Sequence, residues 1–145
     1  MLRNLLCIVV TAIATAVFFF VTIFVGLITL SGDKALWVVR HLWSPLLIAT
    51  GGARVVVTGQ ENVDPKRPTI YVSNHQSTLD IPIHFAALPV PFRFVAKHQL
   101  KYVPLIGWYL WLGGHVFINR GKREKALASL DKAASKIRAG TSVFL

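Results

Sequence analysis

The first thirty residues form the most uniform hydrophobic pattern in the chain. From Leu5 to Leu30 no charged side chain occurs over 26 positions. About 20 consecutive apolar residues in a helix suffice to cross a hydrocarbon core of ~30 Å. A signal peptide with Arg3 as its basic start is the alternative, but the apolar core of such a peptide is only about 7–15 residues long. The pattern therefore predicts an N-terminal helix that is embedded in a membrane.

A second apolar stretch, residues 35–50, is shorter and contains two tryptophans and an arginine. Tryptophan and arginine together are typical of the headgroup region of a bilayer. A buried helix of the following domain is the alternative. The dipeptide Gly51–Gly52 ends this stretch and is a strong chain punctuator. We therefore predict an N-terminal membrane anchor or helical hairpin over residues 1–52 and a separate domain over residues 53–145.

The rest of the chain alternates short apolar runs with longer amphipathic segments. Residues 122–139 are the clearest helix, because their apolar side chains recur along one stripe and Gly140 is a natural stop. Strands separated by helices indicate an α/β fold, with a layered, largely parallel sheet and flanking helices. The predicted strands are 53–59, 69–73, 92–96, 115–118 and 141–145, and the predicted helices are 78–88, 98–112 and 122–139.

The charge balance is strongly basic. The net charge is +10, and residues 51–145 hold thirteen Lys and Arg against five Asp and Glu. Such an excess suits an anionic membrane surface, phospholipid headgroups or the phosphates of a thioester donor. Nucleic acid is the generic alternative for a basic chain. The apolar N-terminal segment and the lack of a groove-reading motif argue against nucleic acid as a partner.

Cysteine and histidine spacing gives no metal signal. Cys7 is the one cysteine, which excludes an intramolecular disulfide and a cysteine-based metal site. Four histidines, at positions 41, 84, 98 and 115, lack the His-x3-His and His-Glu-x-x-His spacings of zinc sites. We predict no bound metal.

The strongest candidate for chemistry is the pair His75 and Asp80, which lies between the predicted strand 69–73 and the predicted helix 78–88. Imidazole is well suited to remove a proton near neutral pH, and a carboxylate can orient the ring and stabilise the imidazolium. On one regular helix, five residues would separate the two side chains by roughly 140°; a loop position lets them meet. The alternative for Asp80 is helix capping, because Ser77 and Asp80 form a Ser-x-x-Asp pattern.

Two sequence blocks carry a resemblance to a known family. Residues 74–80, Asn-His-Gln-Ser-Thr-Leu-Asp, match the His-x4-Asp motif of the glycerophospholipid acyltransferase family. Residues 114–120, Gly-His-Val-Phe-Ile-Asn-Arg, match that family's second block, Gly-x-x-Phe-Ile-x-Arg. Residues 97–107 are similar to the segment that links them, with Gln99 where a glutamate is common. The chain most resembles the bacterial members that acylate 1-acyl-sn-glycerol-3-phosphate.

The resemblance implies a membrane-bound acyltransferase. It would move a fatty acyl group from acyl-CoA or acyl-carrier protein to the sn-2 hydroxyl of 1-acyl-sn-glycerol-3-phosphate (lysophosphatidic acid), forming phosphatidic acid. No cofactor is implied, because a thiolate leaves readily. The resemblance makes His75 the general base, Asp80 its orienting carboxylate and Arg120 the ligand of the acceptor phosphate. It also implies substrate contacts at Gly114, Asn74 and Lys97.

Several alternatives remain open at this point. The alternative for Arg120 is an ordinary solvated charge on the surface. The aromatic side chains of segment 102–111 suit an acyl-chain groove, the membrane interface or core packing. The acceptor could be another lysophospholipid or a lyso-ornithine lipid. The family's third block, Phe-Pro-Glu-Gly-Thr-Arg, is expected after the predicted strand 141–145, where the sequence ends. We therefore expect residues 53–145 to be the N-terminal part of an acyltransferase domain, and a non-catalytic membrane-associated fragment is the remaining alternative.

The distribution of positive residues also predicts on which side of the membrane the domain lies. Lys34 and Arg40 follow the first apolar segment, and positive residues tend to stay on the cytoplasmic side. We expect a bacterial inner-membrane location with the catalytic domain in the cytoplasm.

Overall fold

The computed structural model describes residues 2–119, 121 and 123–145. It divides into two compact units. The first unit holds the residues up to 62 together with 75–89, and the second holds 63–74 together with 90–145. This division does not coincide with the predicted boundary near residue 52, which stays a prediction about domains that fold independently.

The first unit is helical. Helix α1 spans Leu2–Thr29, α2 spans Gly32–Val38, α3 spans Ser44–Thr50 and α4 spans Asp80–Ala87. A π-helical turn, Val39–Trp43, joins α2 to α3 without a break, and a short 3-10 turn covers Gln60–Asn62. The second apolar stretch of the sequence is therefore one helical segment that contains a π-helical turn.

Helix α1 and the segment 32–50 form an antiparallel hairpin. The Cys7 thiol donates to the Thr50 carbonyl oxygen at 3.3 Å. The Trp43 indole donates to Thr15 Oγ1 at 3.2 Å. Early residues of α1 thus meet late residues of α3, as two antiparallel helices require. The segment also packs against α4, and the Arg40 guanidinium donates to the carbonyl oxygen of Leu88.

Helix α1 has the length and composition of a membrane span. Residues 4–29 carry no charged side chain and have a high mean hydropathy, and only a small share of the most apolar window is buried within the protein. In the part of the chain that the structure describes, no second helix meets the same criteria of length and hydropathy. A water-exposed helix with this composition would leave a large apolar surface uncovered, which soluble proteins avoid.

The second unit contains a four-stranded parallel sheet. Its strands are β1 (Ile70–Tyr71), β2 (Phe92–Lys97), β3 (Val116–Ile118) and β4 (Ser142–Phe144), in the order β1-β4-β2-β3. All three strand pairs are parallel. Helices α5 (Ile106–Leu112) and α6 (Arg123–Arg138) and a 3-10 turn (His98–Tyr102) connect the strands. The predicted fold class, a parallel sheet with flanking helices, is confirmed.

The two faces of the sheet bury different side chains, because successive residues of a strand point to opposite faces. Phe92, Phe94 and Phe144 cluster with ring centroids 5.1–5.3 Å apart. On the other face, Val116 and Val143 pack with residues of α6. This second core fixes α6 on the sheet.

One predicted strand is wrong. Residues 53–59 have no regular structure, and the side chains of Val56 and Val57 are exposed. A run of valines favours a strand only where a neighbouring strand and a packing surface are available. Among the described residues none pairs with this run as a strand, so its β-propensity is not used.

One predicted helix is interrupted. The segment 98–112 splits into the 3-10 turn and α5, with a break at Pro104 and Leu105, whose φ is +69°. The two pieces then fold against each other at Gly107. A Cβ at that position would lie 2.2 Å from the Lys101 carbonyl oxygen. Only glycine permits this contact.

The predicted apolar stripe of α6 is only partly covered. Ala133 is buried and Ile137 packs against the core. Leu130 and Leu127, about one and two turns closer to the N-terminus than Ala133, are exposed. The helical spacing was read correctly, while the extent of the stripe that meets the sheet depended on tertiary packing.

Candidate active site

The His75 loop brings the two predicted residues together. The chain leaves β1 and runs through residues 72–79 without regular secondary structure before α4 begins at Asp80. In this arrangement His75 Nδ1 lies 3.0 Å from Asp80 Oδ2. The predicted proximity of the two side chains is confirmed.

Asp80 is held in place by the backbone of the same loop. Its Oδ2 atom accepts hydrogen bonds from the N–H groups of Gln76 at 2.7 Å and Ser77 at 2.8 Å. Ser77 Oγ in turn accepts from the N–H of Leu79 at 3.1 Å. The carboxylate therefore holds the loop before α4 together and contacts His75 at the same time. The predicted contact with His75 is present, whereas the N-cap position of α4, Leu79, has no side-chain capping hydrogen bond.

The electrostatics of the pair define the proton positions. The N–H donors of Ser77 and Gln76 lower the pKa of Asp80 below its ordinary value, and His75 adds a smaller lowering. An ionised carboxylate only accepts hydrogen bonds. The hydrogen atom between the two side chains consequently belongs to His75 Nδ1, which leaves the lone pair on Nε2.

The imidazole is accessible to a second molecule. The His75 side chain is 64% exposed, whereas that of Asp80 is 21% exposed. An exposed imidazole that contacts a mostly covered carboxylate has the geometry of general-base catalysis.

A third titratable side chain on the same helix has a different character. His84 is partly buried, and desolvation lowers its pKa although the charge of Asp80 acts in the opposite direction. Partial burial of this kind is typical of a structural histidine.

The other predicted site residues belong to the second unit. Lys97 is exposed at the carboxyl end of β2. Asn74 is exposed beyond β1, and its carbonyl oxygen accepts from Ser73 Oγ at 3.1 Å. In parallel α/β sheets, ligands bind outside the carboxyl ends of the strands. Lys97 and Asn74 thus lie at or just beyond the carboxyl ends of β2 and β1, where ligands bind in such sheets.

Gly114 lies at the opposite end of its strand. It precedes β3, has a φ of +69°, and a Cβ there would lie 3.3 Å from Arg93 Nε. The left-handed backbone alone favours glycine. Its predicted substrate contact stays a prediction, and the local packing provides an independent reason for the glycine.

Arg120 lies outside the described residues, as does Lys122. The neighbouring turn is described: Asn119 Oδ1 accepts from the N–H of Gly121 at 3.0 Å. The predicted phosphate contact of Arg120 therefore stays a prediction.

Sequence reasoning missed a buried histidine that lies near two cationic side chains, Arg93 and Lys136. His115 is 5% exposed, and its Nδ1 accepts from the N–H of Phe94 at 2.9 Å. Its Nε2 atom is buried with no hydrogen-bond partner among the described residues. Burial, together with the charges of Arg93 and Lys136, lowers the pKa of His115 to about 3. The one sequence signal was the position of His115 at the start of an apolar strand.

Metal-ligating side chains do not gather in the described part of the chain. No group of three or more His, Cys, Asp and Glu residues there is arranged to hold a metal ion.

Comparison with known proteins identifies the relatives of this chain. The profile of a family described as Acyltransferase matches residues 54–145. The 1-acyl-sn-glycerol-3-phosphate acyltransferase of Saccharomyces cerevisiae is 37% identical over 77% of this chain and 37% of its own length. The enzyme of the same description from Borreliella burgdorferi is 34% identical over 63% of this chain and 37% of its own. The chain thus spans little more than a third of these relatives.

A solved structure shares the fold. The crystal structure of the 1-acyl-sn-glycerophosphate acyltransferase PlsC from Thermotoga maritima superposes with a TM-score of 0.78 and 24% sequence identity. The match covers 99% of this chain and 60% of that one.

Proposed function

The chain belongs to the acyltransferase family, and on that premise we propose that its protein acylates a lysophospholipid. The donor is acyl-CoA or acyl-carrier protein. The acceptor is the sn-2 hydroxyl of 1-acyl-sn-glycerol-3-phosphate, and the product is phosphatidic acid. The observation that carries the proposal is the 3.0 Å contact between His75 Nδ1 and Asp80 Oδ2, because it leaves an accessible imidazole lone pair on Nε2.

The reaction is a direct acyl transfer. His75 Nε2 takes the proton of the acceptor hydroxyl while the hydroxyl oxygen attacks the thioester carbonyl carbon. The new C–O bond forms, the C–S bond breaks and the thiolate leaves. The imidazolium then returns the proton to the thiolate sulfur. General-base assistance of this kind contributes about 10²–10⁴ in rate.

Asp80 supports this step without itself changing protonation. It is already ionised, since two backbone N–H groups lower its pKa. It stabilises the positive charge that develops on His75 and keeps Nδ1 as the protonated nitrogen. Because the same backbone donors hold the carboxylate, the pair is oriented before substrate arrives.

The acceptor phosphate requires cationic ligands. Arg120 can bind a phosphate through two parallel hydrogen bonds, and the exposed ammonium group of Lys97 provides a point charge. We assign Asn74 to positioning of the catalytic loop and Gly114 to backbone clearance. The support for these four roles is their place in the two sequence blocks.

The proposed location is a bacterial inner membrane, with the acyltransferase domain on the cytoplasmic side. Residues 4–29 of α1 supply the anchor. Both lysophosphatidic acid and its product are membrane lipids, so an anchored enzyme meets its acceptor at the bilayer surface.

The proposal is tested with protein expressed from its complete reading frame and reconstituted into vesicles. Labelled acyl-CoA and acyl-carrier protein are offered in turn, with lysophosphatidic acid, another lysophospholipid and lyso-ornithine lipid as competing acceptors. We expect labelled phosphatidic acid as the main product, its formation lost in His75→Ala and retained in His41→Ala. His41 is the matched control, since it is an exposed histidine whose Nδ1 lies 3.0 Å from the Trp37 carbonyl oxygen and whose ring stacks on Trp37. If the labelled acyl group goes mainly to another acceptor, that acceptor replaces lysophosphatidic acid as the proposed substrate. Equal loss of activity in His75→Ala and His41→Ala would contradict the assignment of His75 as general base.

A further inference from the structure

The second unit exposes a group of large aromatic side chains. Tyr102 is 71% exposed, Trp108 is 60% exposed and Trp111 is 70% exposed. Trp108 and Trp111 lie three residues apart and so share one face of α5. The opposite side of α5 is used for packing, since Gly107 and Leu110 are buried. We refer to Tyr102, Trp108 and Trp111 as the aromatic face.

The aromatic face stands on a firmly packed support. Gly107 approaches the backbone of the preceding 3-10 turn so closely that a Cβ would lie 2.2 Å from the Lys101 carbonyl oxygen. At the end of that turn, the Tyr102 hydroxyl lies 3.4 Å from His98 Nε2. The packing of α5 against the 3-10 turn therefore holds these rings in exposed positions.

The exposed charges nearest the aromatic face along the chain are basic. Lys97 and Lys101, which flank the 3-10 turn, are both exposed. Residues 90–119, which include the aromatic face, contain no Asp or Glu. By contrast, the exposed leucines of α6 lie in a segment that includes Glu124 and Asp131. The aromatic face thus combines exposed rings with neighbouring exposed lysines.

We propose that the aromatic face binds the anionic headgroup region of the bilayer, as a membrane contact separate from α1. Tryptophan and tyrosine rings favour the boundary between hydrocarbon and headgroups, and nearby lysines are attracted to anionic phospholipids. The surface of an anionic bilayer offers both the boundary that the aromatic rings favour and the negative charge that attracts the lysines. The inference rests on the membrane attachment that the proposed function includes.

The experiment measures the depth of individual positions with spin labels. In a full-length protein whose native cysteines, Cys7 among them, are changed to Ser, single cysteines replace Trp111 or Tyr102, each carrying a nitroxide. Leu127→Cys is the matched control, as an exposed apolar position of the same unit, and Phe20→Cys in α1 reports the anchor. Collision with oxygen, which concentrates in lipid, is compared with collision with a nickel chelate, which stays in water. Vesicles contain phosphatidylcholine alone or with phosphatidylglycerol.

We expect the labels at positions 111 and 102 to gain oxygen collisions and lose nickel collisions when phosphatidylglycerol is present, whereas position 127 keeps its nickel collisions. Lys101→Gln should weaken the shift at both positions. Nickel access at 111 and 102 equal to that at 127, with position 20 still in lipid, overturns the aromatic-face proposal and leaves the anchor intact. Labels that neither reagent reaches would indicate protein coverage and equally overturn it. Nickel access at position 20 would instead contradict the membrane anchor.

Because Trp111→Cys removes a large side chain, intrinsic fluorescence provides a second measurement. Trp37, Trp43 and any tryptophan outside residues 1–145 of the full-length protein are changed to Phe, so that Trp108 and Trp111 remain. Quenching by phospholipids brominated near the headgroup should exceed quenching by phospholipids brominated at the chain ends. Absence of quenching by either lipid would contradict the proposal even if the labelled variants failed to fold.

Discussion

His75 and His115 contain the same imidazole in opposite surroundings. His75 is exposed, and its Nδ1 donates to an ionised carboxylate. His115 is buried, and its Nδ1 accepts from a backbone N–H group. Burial and then the charges of Arg93 and Lys136 oppose protonation of His115. The two rings therefore differ in burial and in the sign of their neighbours, and of the two only His75 presents an accessible ring nitrogen beside a carboxylate.

The first prediction separates the two rings by activity. His75→Ala should lower kcat/KM by about 10²–10⁴-fold, because the general base is lost. His115→Asn should keep activity near the wild-type value at neutral pH, since an amide oxygen can still accept from the Phe94 N–H group. Acyl transfer by both variants, measured side by side, tests the contrast. Similar losses in the two variants would end the distinction between a catalytic and a structural histidine.

The second prediction removes the carboxylate that distinguishes the two sites. Asp80→Asn should lower kcat by about 10²-fold, less than the loss of the ring itself. Because the pKa of Asp80 is lowered, its carboxylate is ionised at neutral pH, and Asp80→Asn removes a negative charge beside His75. Acyl transfer at neutral pH by Asp80→Asn, His75→Ala and wild type, measured side by side, gives the two losses. An unchanged kcat in Asp80→Asn contradicts an orienting and stabilising role for Asp80.

The third prediction concerns the pH dependence of stability. The unfolded chain protonates His115 near pH 6.5, while the folded protein does so only near pH 3. The unfolded state thus binds more protons between these values, and the free energy of unfolding should fall by roughly 1.4 kcal/mol per pH unit as pH decreases. His115→Asn should remove this contribution. Denaturant unfolding in detergent at several pH values measures the difference. Parallel pH profiles for wild type and variant would contradict the buried neutral state.

The fourth prediction, with the smallest expected effect, concerns how tightly the buried His115 ring is packed. A Cβ on Gly113 would lie 2.9 Å from His115 Cδ2 and 3.0 Å from Nε2. Gly113→Ala should therefore destabilise the protein by about 1–2 kcal/mol. Gly51→Ala is the control, because a Cβ there meets only ordinary contacts of 3.4 Å or more. Thermal unfolding compares the two variants, and equal melting temperatures would show that the His115 ring adapts without cost.

The parts of the protein that could be read from sequence depend on local pattern. A run of 26 uncharged residues predicts a long apolar helix wherever the chain places it. The His-x4-Asp spacing, placed between a strand and a helix, predicted that His75 and Asp80 would meet. The two backbone donors that hold Asp80 were not foreseen, although the Ser-x-x-Asp pattern indicated a cap at that position.

The failures share one physical cause, which is dependence on distant partners. The valines at 55–57 have the propensity of a strand, yet a strand requires a neighbour that propensity does not supply. The segment 98–112 has helical spacing, but a glycine contact with a backbone oxygen and a left-handed Leu105 divide it.

Sequence by itself determined the apolar anchor, the alternation of strands and helices and the histidine–carboxylate pair, because each depends on neighbours within a few residues. Tertiary structure alone decided which histidine is buried, which apolar side chains of α6 are covered and where the aromatic rings of α5 point. Those properties depend on which surfaces meet, and surfaces are brought together by residues far apart in the chain.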